Sequence, residues 1–387
     1  GLHSPLFKQN YYSFTNPEFT FPNHHWLYGV IIWPIWQTLG FAGLSLLNIS
    51  LIFLSLSLVL IQAARYDKNT WLLIWFLSLP LIIDRTEIRQ ESFSLLFGLL
   101  FGLLLNRFSQ KHLSGPWLLM SLTFIELIWV NLHLFFGLGI ILVGYYWFKT
   151  WLEIFIDQDK TARRRTGWLS VVLLVITLIT LLNPNGWRGA LVPLTIFAQY
   201  QYPIAENQST LFFLHYWPDR LIHWYYSGFV LLSLSNLISS LKKNSWVKNL
   251  SHSFWLIPLL LAGLVMVRLY PFVALIVLPL NVKLLDKNLQ TIKTKTSRIF
   301  QSNLFWSIAS PLGFGLVLAI ISSGLFIPSF AKLGLGVDSK VLEAGEFLKK
   351  IPPTAHIFNN YDVGGYLIFQ GFAQKVFVDN RPEFYPA

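Results

Sequence analysis

Three short polar stretches interrupt a very apolar chain, and each carries residues able to hold an anion or move a proton. Asp84-Arg85-Thr86-Glu87 with Arg89 and Glu91 is the richest; Asn131-Leu132-His133 and Arg268-Leu269-Tyr270 are the other two. A guanidinium stays charged and presents paired donors to a phosphate or carboxylate. A carboxylate or an imidazole can take the proton from an attacking hydroxyl. On a helix Arg85 and Arg89 would share one face and Glu87 and Glu91 another. The competing reading is an outer loop whose charges pair with each other and do nothing else. Arg268 lies between apolar segments with almost no loop around it, so it is a functional candidate by default, with snorkelling to the interface as the alternative.

Other polar residues invite weaker readings. His24 and His25 are adjacent, so their side chains are expected to diverge, which favours interfacial hydrogen bonding beside Trp26 over metal ligation. His133 with Asn131 suits either a structural cap or a ligand contact. Glu126 is flanked by apolar residues and needs a proton or a partner. Glu206-Asn207-Gln208-Ser209 reads as a mobile lid or as a solvated loop. Asp362 precedes Val363-Gly364-Gly365, where a tight turn is expected, and Asp379-Asn380-Arg381 follows a strand-like run. No glycine-rich phosphate loop is present; Gly98/Gly102 and Gly137/Gly139 read as helix-packing residues. The absence of Cys rules out disulfides, thiol nucleophiles and thiolate metal sites.

The elements that must position these groups follow from composition. Hydrophobic residues make up 54% of the 387, and charged ones only 12%, against about 25% in soluble domains. The 33 Phe, 16 Trp and 15 Tyr supply interfacial anchors. A net charge of +11 could suggest a nucleic-acid partner. Its distribution argues against one. Most of the basic residues fall in Arg65/Lys68, Arg107/Lys111, Lys149 to Arg165, Lys242/Lys243/Lys248 and Lys283 to Arg298, at every second gap between hydrophobic stretches. Basic gaps stay cytoplasmic and face anionic lipid, so the three polar stretches belong on the outer side.

Trp26–Leu39, short and interrupted by Pro34, suits an interfacial helix, and Ala42–Ala64 a spanning one. Trp71–Ile83, Ser92–Asn106, Trp117–Val130, Leu134–Phe148, Ser253–Met266 and Pro271–Leu284 are each only about 13 to 15 residues, too few to cross upright. They form three hairpins whose outer turns are the polar stretches, which predicts a recessed, outward-facing polar cavity. Trp168–Leu182, Leu221–Leu241 and Asn303–Pro328 complete an expected all-α polytopic membrane protein of about ten transmembrane helices plus an interfacial helix. Residues 1–25 read as an outer loop truncated at its N-terminus and 1–328 as the transmembrane domain. Residues 329–387 read as the truncated start of a small extracytoplasmic α/β domain: a helix within Asp338–Lys350, then strands His356–Asn359 and Lys375–Val378 separated by turns at Gly364-Gly365 and Gly371.

Several motifs carry a family resemblance. Asn23-His24-His25-Trp26-Leu27 resembles the Asn-His-Glu-Trp-Leu element of large bacterial polytopic proteins of the GT-C glycosyltransferase type. Val130-Asn131-Leu132-His133, Asn183-Pro184-Asn185-Gly186-Trp187-Arg188, Asn359 to Tyr366 and Val378-Asp379-Asn380-Arg381 are similar to further elements in the same order. The resemblance spans nearly the whole chain. It implies relatives of protein O-mannosyltransferases and the lipid A aminoarabinose transferase, in the bacterial inner membrane, taking a sugar from a polyprenyl-phosphate carrier in the outer leaflet. The family's essential acid lies in the first outer loop, where Glu18 is the remaining candidate; His25 departs from the family's Glu.

On this basis Glu18, Glu87 and His24 are the candidate catalytic residues. Arg85, Arg89, Arg268, Asn131, His133, Glu206, Asn207, Asp362, Asp379 and Arg381 are the candidate substrate-binding ones. A divalent cation is a candidate cofactor with no ligands assigned; membrane lipids, the lipid-linked sugar and an acceptor are the expected partners. The alternatives are a transporter or lipid-handling protein, disfavoured by the lack of an internal repeat, and a non-catalytic membrane scaffold.

Overall fold

α1 (Trp26–Ala63) opens the bundle in the computed structural model, which describes residues 13–15, 23–63, 79–82, 87–156, 160–199, 204–241, 246–277, 335, 339–352, 354–359, 361–369 and 375–379. α1 carries no charged residue and breaks at Gly40, whose φ of 61° and ψ of −157° suit only glycine. The break separates the Trp26–Leu39 segment from the longer one that follows. α2 (Glu91–Ser109), α3 (Gly115–Leu132), α4 (Gly137–Ile156) and α5 (Lys160–Ile179) then run up and down beside it.

The two faces of α3 show what surrounds the bundle. Leu118, Leu122 and Trp129 are fully buried, while Trp117, Met120, Phe124 and Leu127 are exposed on the other side at helical spacing. A helix apolar on its exposed face requires an apolar solvent. Four helical stretches, Trp26–Ile61, Glu91–Ser109, Gly115–Leu132 and Leu134–Phe155, are long and apolar enough to cross a membrane. The described chain is an all-α membrane protein.

These helices correct the expectation of stunted ones. α2 has 19 residues, α3 18 and α4 20, close to the roughly 20 needed to span. Hydropathy alone stops at the first polar residue, but helical hydrogen bonding continues through Glu91 at the start of α2 and Glu153 near the end of α4. The hairpin turns therefore need not be recessed. Trp71–Ile83 is described only at 79–82 and Pro271–Leu284 only to 277, and Asn303–Pro328 lies outside the described residues.

Alternation of helix direction gathers the turns. The start of α1, residues 87–90, the α3–α4 turn and Asn183-Pro184-Asn185-Gly186 fall at one end of the bundle. Arg107, Lys111 and Arg163 to Arg165 fall at the other, where Arg165 donates to the Ser109 carbonyl (3.3 Å) and pairs with Glu153 (3.1 Å). Asn183-Pro184-Asn185-Gly186 forms a tight turn: Asn183 Oδ1 accepts from Asn185 N–H (2.8 Å) and Gly186 takes φ of 54°. α6 (Gly186–Gln199), α7 (Thr210–Tyr216), α8 (Leu221–Leu241) and α9 (Trp246–Val265) follow. The turn Val267–Leu269 then leads into a helix described to residue 277.

Of the four packing glycines expected, Gly139 fits best, since a Cβ there would stand 2.9 Å from the Phe101 ring; Gly102 and Gly137 have open space around them.

α10 (Ser339–Leu348) falls inside the expected helix. Gly364-Gly365, expected in a turn, lies instead inside α11 (Tyr361–Phe369). A Cβ on Gly364 would collide with the Val378 carbonyl and lie 2.7 Å from Asp379 Cα, so close approach of helix to chain explains the glycine. The two expected strands meet only at a single parallel bridge, Ile357 with Val376, and Ser13 bridges Val376 as well. Among the described residues no strand ladder forms. Phe14 stacks on His356 with centroids 4.2 Å apart, and Phe369 meets Trp36 and Phe41 of α1.

Candidate functional site

Two arginines from different turns are clasped by one short segment. Arg89, just before α2, donates from Nη1 to Glu206 Oε1 at 2.6 Å, and its Nε lies 3.8 Å from Glu87 Oε2. Arg268, in the Val267–Leu269 turn, pairs through Nη2 with Glu91 Oε1 and donates from Nη1 to Asn207 Oδ1 at 3.1 Å. The Arg268 guanidinium also sits 5.5 Å from the centre of the Phe135 ring. The Val267 N–H donates to the Gln208 carbonyl at 3.1 Å, and Ser209 caps α7 by accepting from Phe212 N–H at 3.1 Å. Glu206 to Ser209 is thus bonded to two turns, not a freely solvated loop.

Accessibility separates the two arginines. The side chain of Arg268 is 10% exposed and that of Glu91 8%, whereas Arg89 is 36% and Glu87 55% exposed. Burial works against the charge on Arg89, but Glu206, then Glu87 and Glu91, outweigh it and hold the guanidinium firmly protonated. Arg268 with Glu91 is a closed structural pair; Arg89 with Glu87 is the part a ligand can reach.

Beside them lies a histidine layer. The His24 and His25 rings meet edge to face at 3.9 Å, so the expected divergence does not occur. Asn23 Oδ1 accepts from His25 N–H (3.1 Å) and tightens the turn that brings the rings together. His25 stacks near His133 at 5.4 Å and its Nδ1 lies 3.4 Å from the Leu132 carbonyl. Trp129 Nε1 donates to Ser94 Oγ at 2.7 Å, which leaves the Ser94 proton for His133 Nδ1, also at 2.7 Å. His133 Nε2 is buried with no hydrogen-bond partner among the described residues. Burial comes first in holding both His25 and His133 well below the usual imidazole range; for His25, neighbouring His24 and His133 add to it, and for His133, Arg268 does.

Asn131 has a structural place: Oδ1 accepts from Trp26 Nε1 (3.0 Å), and Nδ2 donates to the Leu127 and Leu182 carbonyls (both 2.9 Å). His24 is buried in the histidine layer, while Glu87 is the most exposed member of the charged group. Asp379 is buried in the terminal segment, against the backbone of Gly364. Glu18, Arg85 and Arg381 lie outside the described residues, as does the side chain of Asp362. Sequence reasoning missed Ser94, Trp129 and Phe135 as supports, since nothing local sets a lone Ser in an apolar helix apart. No group of three His, Asp or Glu is disposed to hold a metal ion among the described residues.

No protein-family model matches the chain, and no relative is found among curated proteins.

Proposed function

We propose that this protein is an integral-membrane glycosyltransferase of GT-C architecture, using a polyprenyl-phosphate sugar at the outer face of the bacterial inner membrane. About ten spanning helices and an extracytoplasmic C-terminal unit belong to this reading. The observation that carries it is the meeting of Arg89, Glu87, Glu206, Arg268 and Glu91 at the bundle end opposite Arg107, Lys111 and Arg163 to Arg165. The basic end stays inside, so the charged turns look outward.

The chemistry assigns a role to each group. An acceptor hydroxyl attacks the anomeric carbon and gives its proton to a carboxylate, for which exposed Glu87 is the described candidate. The bond from that carbon to the lipid phosphate breaks, and the phosphate leaves with the electron pair. Arg89 neutralises its charge, and the apolar helix faces hold the polyprenyl chain. The test is purified full-length protein in lipid nanodiscs with a polyprenyl-phosphate sugar. Release of polyprenyl phosphate that falls at least about a hundredfold in Arg89→Ala supports the reading; binding and turnover indifferent to Arg85→Ala, Arg89→Ala and Arg268→Ala together reject it.

A second reading, a non-catalytic membrane scaffold, draws on the closed Arg268–Glu91 pair and the burial of His24 and His133. It predicts binding of a partner by the terminal segment and no sugar release.

A further inference from the structure

We propose that Glu206 is a built-in stand-in for the lipid phosphate, occupying Arg89 until the ligand displaces it. The inference rests on the reading of Arg89 as the phosphate-holding residue and assigns the device that controls access to it.

Three neighbouring residues act as one clasp. Glu206 bonds Arg89 at 2.6 Å, Asn207 accepts from Arg268 at 3.1 Å, and the Gln208 carbonyl accepts from Val267 N–H at 3.1 Å. Consecutive residues therefore tie the turn before α2 to the turn after α9. The downstream anchor is independent of the arginines: Ser209 caps α7, and Thr210 Oγ1 donates to the Gly263 carbonyl (3.1 Å), with the Tyr270 hydroxyl 2.8 Å away. Glu206 to Gln208 can lift without undoing α7.

The chemistry of exchange favours a phosphate. The Arg89–Glu206 contact uses one guanidinium nitrogen and one carboxylate oxygen, at a site where the Arg89 side chain keeps 36% of its exposure and Glu206 19%. A phosphate brings more acceptor oxygens and more charge to the same guanidinium. The clasp must open first, so the apparent affinity is reduced by the fraction of molecules in which it is open. Weakening the clasp should raise affinity while leaving the binding group intact. Arg268 remains paired with Glu91 throughout, so the turn after α9 keeps its place when Asn207 lets go.

The test uses the full-length protein in nanodiscs, with polyprenyl monophosphate as probe and inorganic phosphate in parallel. Glu206→Gln keeps the shape and removes the charge, and should tighten lipid-phosphate binding roughly tenfold. Asn207→Ala, which loosens the same clasp at its other end, should tighten binding in the same direction and guards against a folding defect in one variant. Arg89→Ala should weaken it strongly. If both clasp variants bind no tighter than the parent while Arg89→Ala weakens binding, the clasp is overturned and the phosphate site stands. If Arg89→Ala changes nothing, both proposals fall. Equal affinity for inorganic and lipid phosphate overturns the lipid assignment.

Discussion

Arg268 and Glu91, 177 residues apart in sequence, form an ion pair that fixes the turn after α9 against the start of α2. Both side chains are about nine-tenths buried. Removing one partner leaves the other charge stranded, a loss of about 3 to 5 kcal/mol. Arg268→Ala should therefore lower the thermal midpoint sharply. Arg268→Met with Glu91→Leu should recover most of it, since neither charge is then left alone. Thermal unfolding in one detergent decides; a single variant as stable as the parent would contradict the pairing.

Acid should loosen the histidine layer. His25 and His133 are held below 6.5 in the folded protein, chiefly by burial. Unfolded imidazoles titrate near that value. Below it the unfolded chain binds more protons, so stability is complete above about pH 6.5 and declines as pH falls further. His133→Gln should show a smaller drop in melting temperature between pH 7.5 and 5 than the parent. An equal drop would place the acid sensitivity elsewhere.

Glu126 and Gly139 share a tight space inside the bundle. Both Glu126 oxygens are buried without a hydrogen-bond partner among the described residues. A Cβ on Gly139 would lie 2.6 Å from Glu126 Oε2 and 2.9 Å from Phe101 Cε1. Gly139→Ala should destabilise by about 1 to 3 kcal/mol. Glu126→Met, which removes an unsatisfied buried group, should raise the melting temperature. A Gly139→Ala protein that melts at the parent temperature would show that this helix contact is loose.

Gly364→Ala should detach α11 from the segment behind it, because the added methyl would meet the Val378 carbonyl and Asp379 Cα. Limited proteolysis should then cut within residues 354–379 faster than in the parent, with the membrane helices intact. Unchanged cleavage would contradict the packing.

The sequence shows its helices more clearly than their ends. α8 occupies the residues hydropathy marks for it, and α10 falls within the span expected for it, because polar residues flank both stretches in the sequence. α2, α3 and α4 run on into Glu91, Gly115 and Glu153, because a helix hydrogen-bonds regardless of side-chain polarity; reading them as short made the polar turns look recessed. Arg89 and Arg268 stand out as charges in apolar company. Their partnership with Glu206 and Asn207 is a long-range contact that no local pattern encodes. Gly364 misled for the opposite reason: glycine signals a turn in isolation, yet here it serves close packing of a helix.

Every role given to Arg89 requires the turn end of the bundle to face the outer side of the membrane. The chain has no cysteine, so single replacements label cleanly. The decisive measurement is labelling of Glu87→Cys and Lys111→Cys in intact inner-membrane spheroplasts with a membrane-impermeant maleimide. Labelling of Glu87→Cys at once, and of Lys111→Cys only after permeabilisation, is the predicted result; the reverse order would contradict it.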